Sequence, residues 1–173
     1  MNLHPIFVHF PIALLTFYSV AELIRTKKLM KTDFWFYFKA ILVIVGVIFA
    51  IITIQTGEIA AKQLGERTQL LELHKFWANT TTWIFGLIAV IYALVWIDKT
   101  EKVKLNYGTI IEKFWRNITK LSILILRKSW IIITLAIIGL ISLTITGALG
   151  GAIVYGPDID PAARIIYNLL VKG

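Results

Sequence analysis

The residues of this sequence best suited to chemistry are its three histidines, His4, His9 and His74. The sequence contains no cysteine, which excludes disulfides, iron–sulfur clusters, thiolate zinc sites and covalent haem attachment through a CxxCH motif. A glycine-rich phosphate loop, a GxSxG elbow and an HExxH pair are also missing from it. These absences favour a binding or electron-transfer protein over an enzyme.

The surroundings of His9 and His74 repeat. Each is followed on its own helical face, at i+4 and i+7, by an alanine and a threonine: Ala13 and Thr16 after His9, Ala78 and Thr81 after His74. His9 lies about 7 Å into the first apolar segment at the α-helical rise, and His74 lies at a similar depth in the third. Diagonal helices of a four-helix bundle are roughly 13 Å apart. That separation suits two imidazoles that bind one central metal.

Three readings of this pair stay open. A b-type haem needs only two axial imidazoles and a slot lined by small and apolar residues, so His9 and His74 predict a haem site. A bare divalent ion requires a third ligand, which His4 or Glu58 could supply. The alternatives for Glu58 are a carboxylate that hydrogen-bonds to a ligand histidine and orients it, and a solvated helix end. The third reading is structural, with histidines that only tie helices together.

Glycines gather at the end of the fourth apolar segment, at Gly147, Gly150 and Gly151. Gly147 and Gly151 form a small-xxx-small face, which is typical of closely packed membrane helices. The same glycines would let a flat macrocycle lie against the backbone. We therefore include all three among the predicted cofactor-binding residues, with helix packing as the alternative.

Composition indicates an integral membrane protein, because 58% of the 173 residues are hydrophobic and the mean hydropathy is +0.78. A membrane-spanning helix needs roughly 20 apolar residues. Segments of that kind predict four spans, at about 5–24, 36–57, 73–97 and 129–155. The predicted fold is all-α, a single transmembrane domain over 1–173 that forms a four-helix up-down bundle.

The basic residues predict the orientation. Thirteen Lys and Arg lie in 25–39 and 98–128, against five in 58–75 and 156–173 together. Since basic loops stay in the cytoplasm, we expect an inner-membrane protein with both termini extracytoplasmic. Residues 106–126 alternate apolar and basic side chains at helical spacing, which predicts an amphipathic helix in the cytoplasmic interface between spans 3 and 4, or else a solvated linker. Anionic lipid explains these charges, so we expect a lipid bilayer and no nucleic acid as partner.

Several motifs together resemble the bacterial membrane family called domain of unknown function 2231. They are the opening HPIFVHFPI at 4–12, Thr56-Gly57-Glu58, the entry of the third span at His74, and TGALGGAIVY at 146–155. The resemblance covers nearly the whole chain and implies a four-span membrane protein. Members look like neighbours or fusions of c-type cytochromes and Rieske-type proteins, which suggests respiratory electron transfer with an extracytoplasmic cytochrome or another redox protein.

One departure concerns the last motif, because many members carry a histidine shortly after its tyrosine, whereas Gly156-Pro157-Asp158 follows Tyr155 here. The resemblance implies no catalytic residue. From the sequence we expect a multi-pass membrane protein that binds haem b between His9 and His74 near the outer leaflet for respiratory electron transfer. The alternatives are a non-enzymatic scaffold or assembly subunit with structural histidines, and a non-haem metal site.

Overall fold

A computed structural model of the protein describes residues 4–64, 68–101 and 109–172. The described residues form helices and turns, without a β-strand. In chain order the helices are α1 His4–Leu23, α2 Lys27–Met30, α3 Asp33–Leu64, α4 Gln69–Glu101, α5 Thr109–Arg127, α6 Ser129–Tyr155 and α7 Pro161–Tyr167, followed by a π-helical segment, Asn168–Lys172.

Four of these helices, α1, α3, α4 and α6, are long and apolar enough to cross a membrane. Neighbouring pairs in the bundle are α1 with α3, α3 with α4, α4 with α6, and α6 with α1. The four spans therefore form a closed ring in which α1 lies diagonally opposite α4, and α3 opposite α6. The all-α prediction and the four-helix membrane bundle are confirmed.

Two spans are longer than the apolar segments that predicted them. α3 has 32 residues and α4 has 33, whereas α1 has 20. Lys, Glu and Gln are good helix formers, so the helices continue past the point where their side chains become polar. Hydropathy marks the part of a helix that lies in hydrocarbon, and the helix itself extends beyond it.

Large side chains on one helix pack against glycines on the next. A Cβ added to Gly46 on α3 would lie 2.6 Å from Cδ2 of Leu15 on α1, and one added to Gly139 on α6 would lie 2.8 Å from Cζ of Phe85 on α4. Leu15 and Phe85 are fully buried. The two helix pairs, α1 with α3 and α4 with α6, thus use the same close contact of a large residue over a glycine.

A buried carboxylate joins the spans at the opposite end of α1 from His4. Glu22, 2% exposed, accepts hydrogen bonds from Nζ of Lys39 on α3 at 2.9 Å, Oη of Tyr92 on α4 at 2.8 Å and Nη2 of Arg25 at 3.1 Å. Nη2 of Arg25 also donates to the carbonyl oxygen of Ser129, the first residue of α6, at 3.2 Å. We call Glu22, Arg25, Lys39 and Tyr92 the Glu22 cluster.

The helix between spans 3 and 4 is present as α5, and residues 102–108, which include the start of the predicted 106–126 segment, lie outside the described residues. α5 packs on α4 and α6 and buries Thr119 and Ser122. Its opposite face exposes the apolar residues Ile110, Phe114, Leu121 and Leu124. An exposed apolar stripe is typical of an interfacial helix, and the interfacial position stays a prediction.

The chain turns after α6 at Gly156, whose φ of +90° is a conformation that glycine adopts at little cost. α7 then begins at Pro161, and the side chain of Asp160 caps it by accepting from the backbone N–H of Ala163 at 2.8 Å. The segment after the fourth span therefore forms a turn and a short capped helix.

Breaking the Glu22 cluster should destabilise the bundle. In Glu22→Gln the buried ammonium of Lys39 loses its counter-charge, so we expect a loss of about 3–5 kcal/mol in unfolding free energy. The double variant Glu22→Gln/Lys39→Met should recover much of that loss, because it leaves no buried ammonium. Unfolding in detergent followed by circular dichroism measures both.

The matched control is the ion pair of Asp33 and Lys99, whose side chains are 77% and 38% exposed. Asp33→Asn should change the unfolding free energy by less than about 1 kcal/mol. A Glu22→Gln variant as stable as Asp33→Asn would contradict a structural role for the cluster.

Candidate functional site

His4, the first residue of α1, is held against α3. Its Nδ1 donates to the carbonyl oxygen of Thr53 at 3.1 Å and lies 3.4 Å from Oγ1 of Thr56. A Cβ added to Gly57 would lie 3.1 Å from Cε1 of the imidazole. The ring therefore rests on the α3 backbone at a place where a larger residue would press on it.

His74, in the second turn of α4, is held against α6 in the same manner. Its Nδ1 donates to the carbonyl oxygen of Thr146 at 3.0 Å, and a Cβ added to Gly150 would lie 3.1 Å from its Cε1. Each imidazole thus gives its Nδ1 proton to a threonine carbonyl and covers the glycine one helical turn further on.

The two arrangements share one register. Gly57 follows Thr53 by four residues, and Gly150 follows Thr146 by four residues. Leu15 follows His4 by eleven residues, and Phe85 follows His74 by eleven residues. Gly46 and Gly139 likewise precede Gly57 and Gly150 by eleven residues. The pair α1–α3 and the pair α4–α6 are therefore two copies of one packing unit, defined by a histidine, a large buried residue and two glycines.

The two imidazoles lie at the same end of the bundle. Glu58, next to Gly57 on α3, forms an ion pair of 3.2 Å with Lys75, next to His74 on α4. This bridge places the two histidines at one level across the diagonal of the bundle. We call His4 and His74 the imidazole pair.

His9 lies elsewhere. It is exposed on the outer face of α1, where it lines a groove with Phe10, Ala13 and Leu14. The described contacts of His74 are to Thr146 and Gly150 on α6, and none joins it to His9. The structure therefore does not bring together the two predicted ligands.

His9 and His74 were predicted to share one depth because both lie five residues after the first residue of their helix. The helices, however, do not all begin at the same level. α3 and α4 extend about 10 Å and about 7 Å beyond Gly57 and His74 at the 1.5 Å rise. The bundle aligns the first residue of α1 with the second turn of α4, so His4 shares the level of His74.

Among the other predicted residues, Thr81 has the clearest place at the site. It is buried, and its Oγ1 lies 2.7 Å from Oγ of Ser142 and 3.3 Å from Oγ1 of Thr146, whose carbonyl holds His74. Ala78 and Thr16 are half-buried, and Ala13 is exposed beside His9.

The three predicted glycines differ in their surroundings. Gly150 contacts the His74 ring, whereas a Cβ added to Gly147 would meet nothing within 4 Å. A Cβ added to Gly151 would be 4.0 Å from Cγ2 of Ile159, in the turn after α6. Only Gly150 of the three therefore lies against an imidazole.

The third ligand that a bare divalent ion would need is not assembled by the described residues. Within 4–64, 68–101 and 109–172, no three His, Cys, Asp or Glu side chains converge as a metal-binding group. Glu58 is half exposed and pairs with Lys75. Among the described contacts, the two rings are oriented by the carbonyl oxygens of Thr53 and Thr146.

Sequence reasoning missed Thr53 and Thr146, whose carbonyls fix the rings, and it gave His4 only a secondary place. A signal was present, because a threonine precedes a glycine by four residues near the end of both α3 and α6. The Glu22 cluster was also missed, because its charged members lie close to the ends of their apolar segments.

The chain matches the family described as predicted membrane protein, DUF2231, over residues 1–160. It belongs to this family, as its motifs predicted. No curated protein and no solved structure matches the chain.

Proposed function

We propose that this member of the DUF2231 family binds one b-type haem at the imidazole pair, with His4 and His74 as axial ligands, and takes part in electron transfer. The observation that carries the proposal is the matched Nδ1 hydrogen bond of each ring, at 3.1 Å to Thr53 and 3.0 Å to Thr146. A histidine that donates Nδ1–H to a backbone carbonyl presents its lone pair on Nε2, which is a common ligand atom.

The surroundings of the rings fit this group. Haem b is held by two axial imidazoles without covalent attachment, so neither a cysteine nor a third protein ligand is required. Gly57 and Gly150 leave out the side-chain atoms that would press on each ring, so both imidazoles can lie directly on the backbone of the neighbouring helix. Bound haem would supply one-electron chemistry, while the chain orients the ligands and excludes water.

This assignment replaces His9 of the sequence prediction by His4. Both His4 and His74 sit inside the bundle on diagonal helices, and both are oriented by a carbonyl. His9 has neither feature, since its ring faces outward from α1. Thr81 supports the site indirectly through Thr146, because its hydroxyl lies within 3.3 Å of the hydroxyl of that residue.

A structural role is the second candidate, and the same hydrogen bonds favour it. They tie α1 to α3 and α4 to α6, which is what a scaffold or assembly subunit requires. The two candidates differ in one observable, because only the first gives the purified protein a visible spectrum that depends on both imidazoles.

The spectrum of the purified protein tests the ligands. We expect a Soret band and split visible bands on reduction, and their loss in both His4→Ala and His74→Ala, since each variant removes one axial ligand. His9→Ala is the matched control and should keep the wild-type spectrum. Colourless protein from haem-replete cells, with both ligand variants less heat-stable, would support the structural role instead.

Bulk beside the rings should expel the haem without removing a ligand. Gly57→Val and Gly150→Val add a side chain whose Cβ alone would lie 3.1 Å from an imidazole carbon. We therefore expect at least tenfold weaker haem binding. Gly147→Val, at a position with open space, is the control. Haem titration of the apoprotein measures the affinities, and equal affinities in all three variants would contradict the site.

The proposal also includes an orientation in the inner membrane with both termini outside the cytoplasm, supported by the thirteen basic residues in 25–39 and 98–128. The imidazole pair would then face an extracytoplasmic redox partner such as a cytochrome. Because the chain has no cysteine, single cysteines report the topology cleanly.

Lys28→Cys and Lys113→Cys should be shielded from a membrane-impermeant maleimide in intact cells, whereas Asp160→Cys should react. All three become reactive after the membrane is permeabilised, which controls for local accessibility. Labelling of the first two in intact cells would reverse the orientation and place the imidazole pair on the cytoplasmic side.

A further inference from the structure

The outward side of α5, which the proposed haem site does not use, has two distinct parts. The first is apolar and consists of exposed large side chains: Ile110, Phe114, Leu121 and Leu124. The second is basic and is also exposed: Lys113, Arg116, Lys120 and Arg127. At 3.6 residues per turn, the apolar residues span about 80° of the helix circumference and the basic residues span about 60° beside them. We call these parts the apolar stripe and the basic stripe.

The remaining face of α5 holds the helix on the bundle. Thr119 and Ser122 are buried there, and the helix packs on α4 and α6. Among the described residues, no carboxylate forms an ion pair with a cation of the basic stripe. This holds even for Glu112, which lies one turn before Arg116 on the same helix. Both stripes therefore face away from the protein, and the basic stripe is available to an anion from outside the chain.

The junction of α5 with α6 places the stripes beside the end of a span. α5 ends at Arg127 and α6 begins at Ser129. Lys128, between them, has a ψ of 73°, which is outside the helical region, so the chain changes direction there. Trp130, in the first turn of α6, is exposed, and an exposed tryptophan at the end of a span is typical of the membrane–water interface. α5 therefore joins the span at the level of the interface.

We infer that α5 binds the surface of a leaflet that contains anionic phospholipid, with the apolar stripe among the upper acyl chains and the basic stripe on the phosphate groups. Charge and shape together select this occupant, because apolar and basic faces on one helix are typical of helices that lie in the interface plane. The long side chains of lysine and arginine can extend from there to the phosphates.

Other occupants match only one of the two stripes. An acidic protein segment would neutralise the basic stripe and leave the apolar stripe uncovered. A second copy of α5 would cover the apolar stripe but add its own cations, which repel those already present. The inference does not depend on the haem proposal.

Electron paramagnetic resonance of the full chain in phosphatidylcholine vesicles measures the lipid preference, with spin-labelled phosphatidylglycerol and spin-labelled phosphatidylcholine as probes. The wild type should prefer phosphatidylglycerol at least about threefold at low salt, since each cation near the surface adds attraction. Lys113→Gln/Lys120→Gln should lower this preference at least about twofold. Lys27→Gln/Lys28→Gln, which removes the same charge from exposed lysines of α2, is the matched control and should stay close to the wild type.

Spin labels on single introduced cysteines report what covers each stripe, because the chain has no cysteine of its own. In vesicles that contain phosphatidylglycerol, a label at Leu121→Cys should be more accessible to oxygen than to a water-soluble nickel chelate, and a label at Lys120→Cys should show the reverse.

Four results would overturn the inference. They are a wild type without lipid preference, a control variant that loses as much preference as Lys113→Gln/Lys120→Gln, a label at Leu121 as accessible to nickel as the label at Lys120, and short distances between Leu121 labels of two copies. None of these measurements uses the haem spectrum, so the two proposals are tested separately.

Discussion

The bundle depends on a single buried carboxylate. Glu22 accepts hydrogen bonds from Arg25 at the end of α1, from Lys39 of α3 and from Tyr92 of α4, and Arg25 reaches the first residue of α6. Sliding one of these helices along its neighbours would break at least one of these hydrogen bonds and leave a buried charge without its partner, which is strongly destabilising. The cluster therefore holds α1, α3 and α4 in one register.

The register that the Glu22 cluster fixes at one end of the bundle determines which residues lie at the same level at the other end. Glu22 lies eighteen residues after His4 on α1, and Tyr92 lies eighteen residues after His74 on α4. The hydrogen bond of 2.8 Å between Glu22 and Tyr92 therefore joins equivalent positions of the two helices. Because both helices rise by the same distance per residue, His4 and His74 then reach one level. The glycine contacts of Leu15 and Phe85, midway between the ends, keep both helix pairs equally close.

The sequence was sufficient for the four spans and for the glycine-rich end of α6, because hydropathy and residue type are local properties. It did not identify His4 as the partner of His74, since their common level follows from the relative shift of α1 and α4. That shift is set by Glu22, Lys39 and Tyr92, which are far apart in the sequence. The threonine carbonyls that hold the rings were missed because any residue can supply a backbone acceptor, so the repeated spacing of a threonine and a glycine near the ends of α3 and α6 was the one signal for them.

The three histidines differ in their surroundings, and these surroundings determine what each imidazole can contact. His4 and His74 point into the bundle and donate Nδ1–H to carbonyls, so the hydrogen bond that ties two helices together also selects the tautomer with its lone pair on Nε2. Helix packing and ring orientation are then consequences of one contact. His9, only five residues after His4 on α1, faces the lipid because a helix turns by about 100° per residue. The same helix therefore presents one imidazole to a backbone carbonyl inside the bundle and another to its exposed outer face.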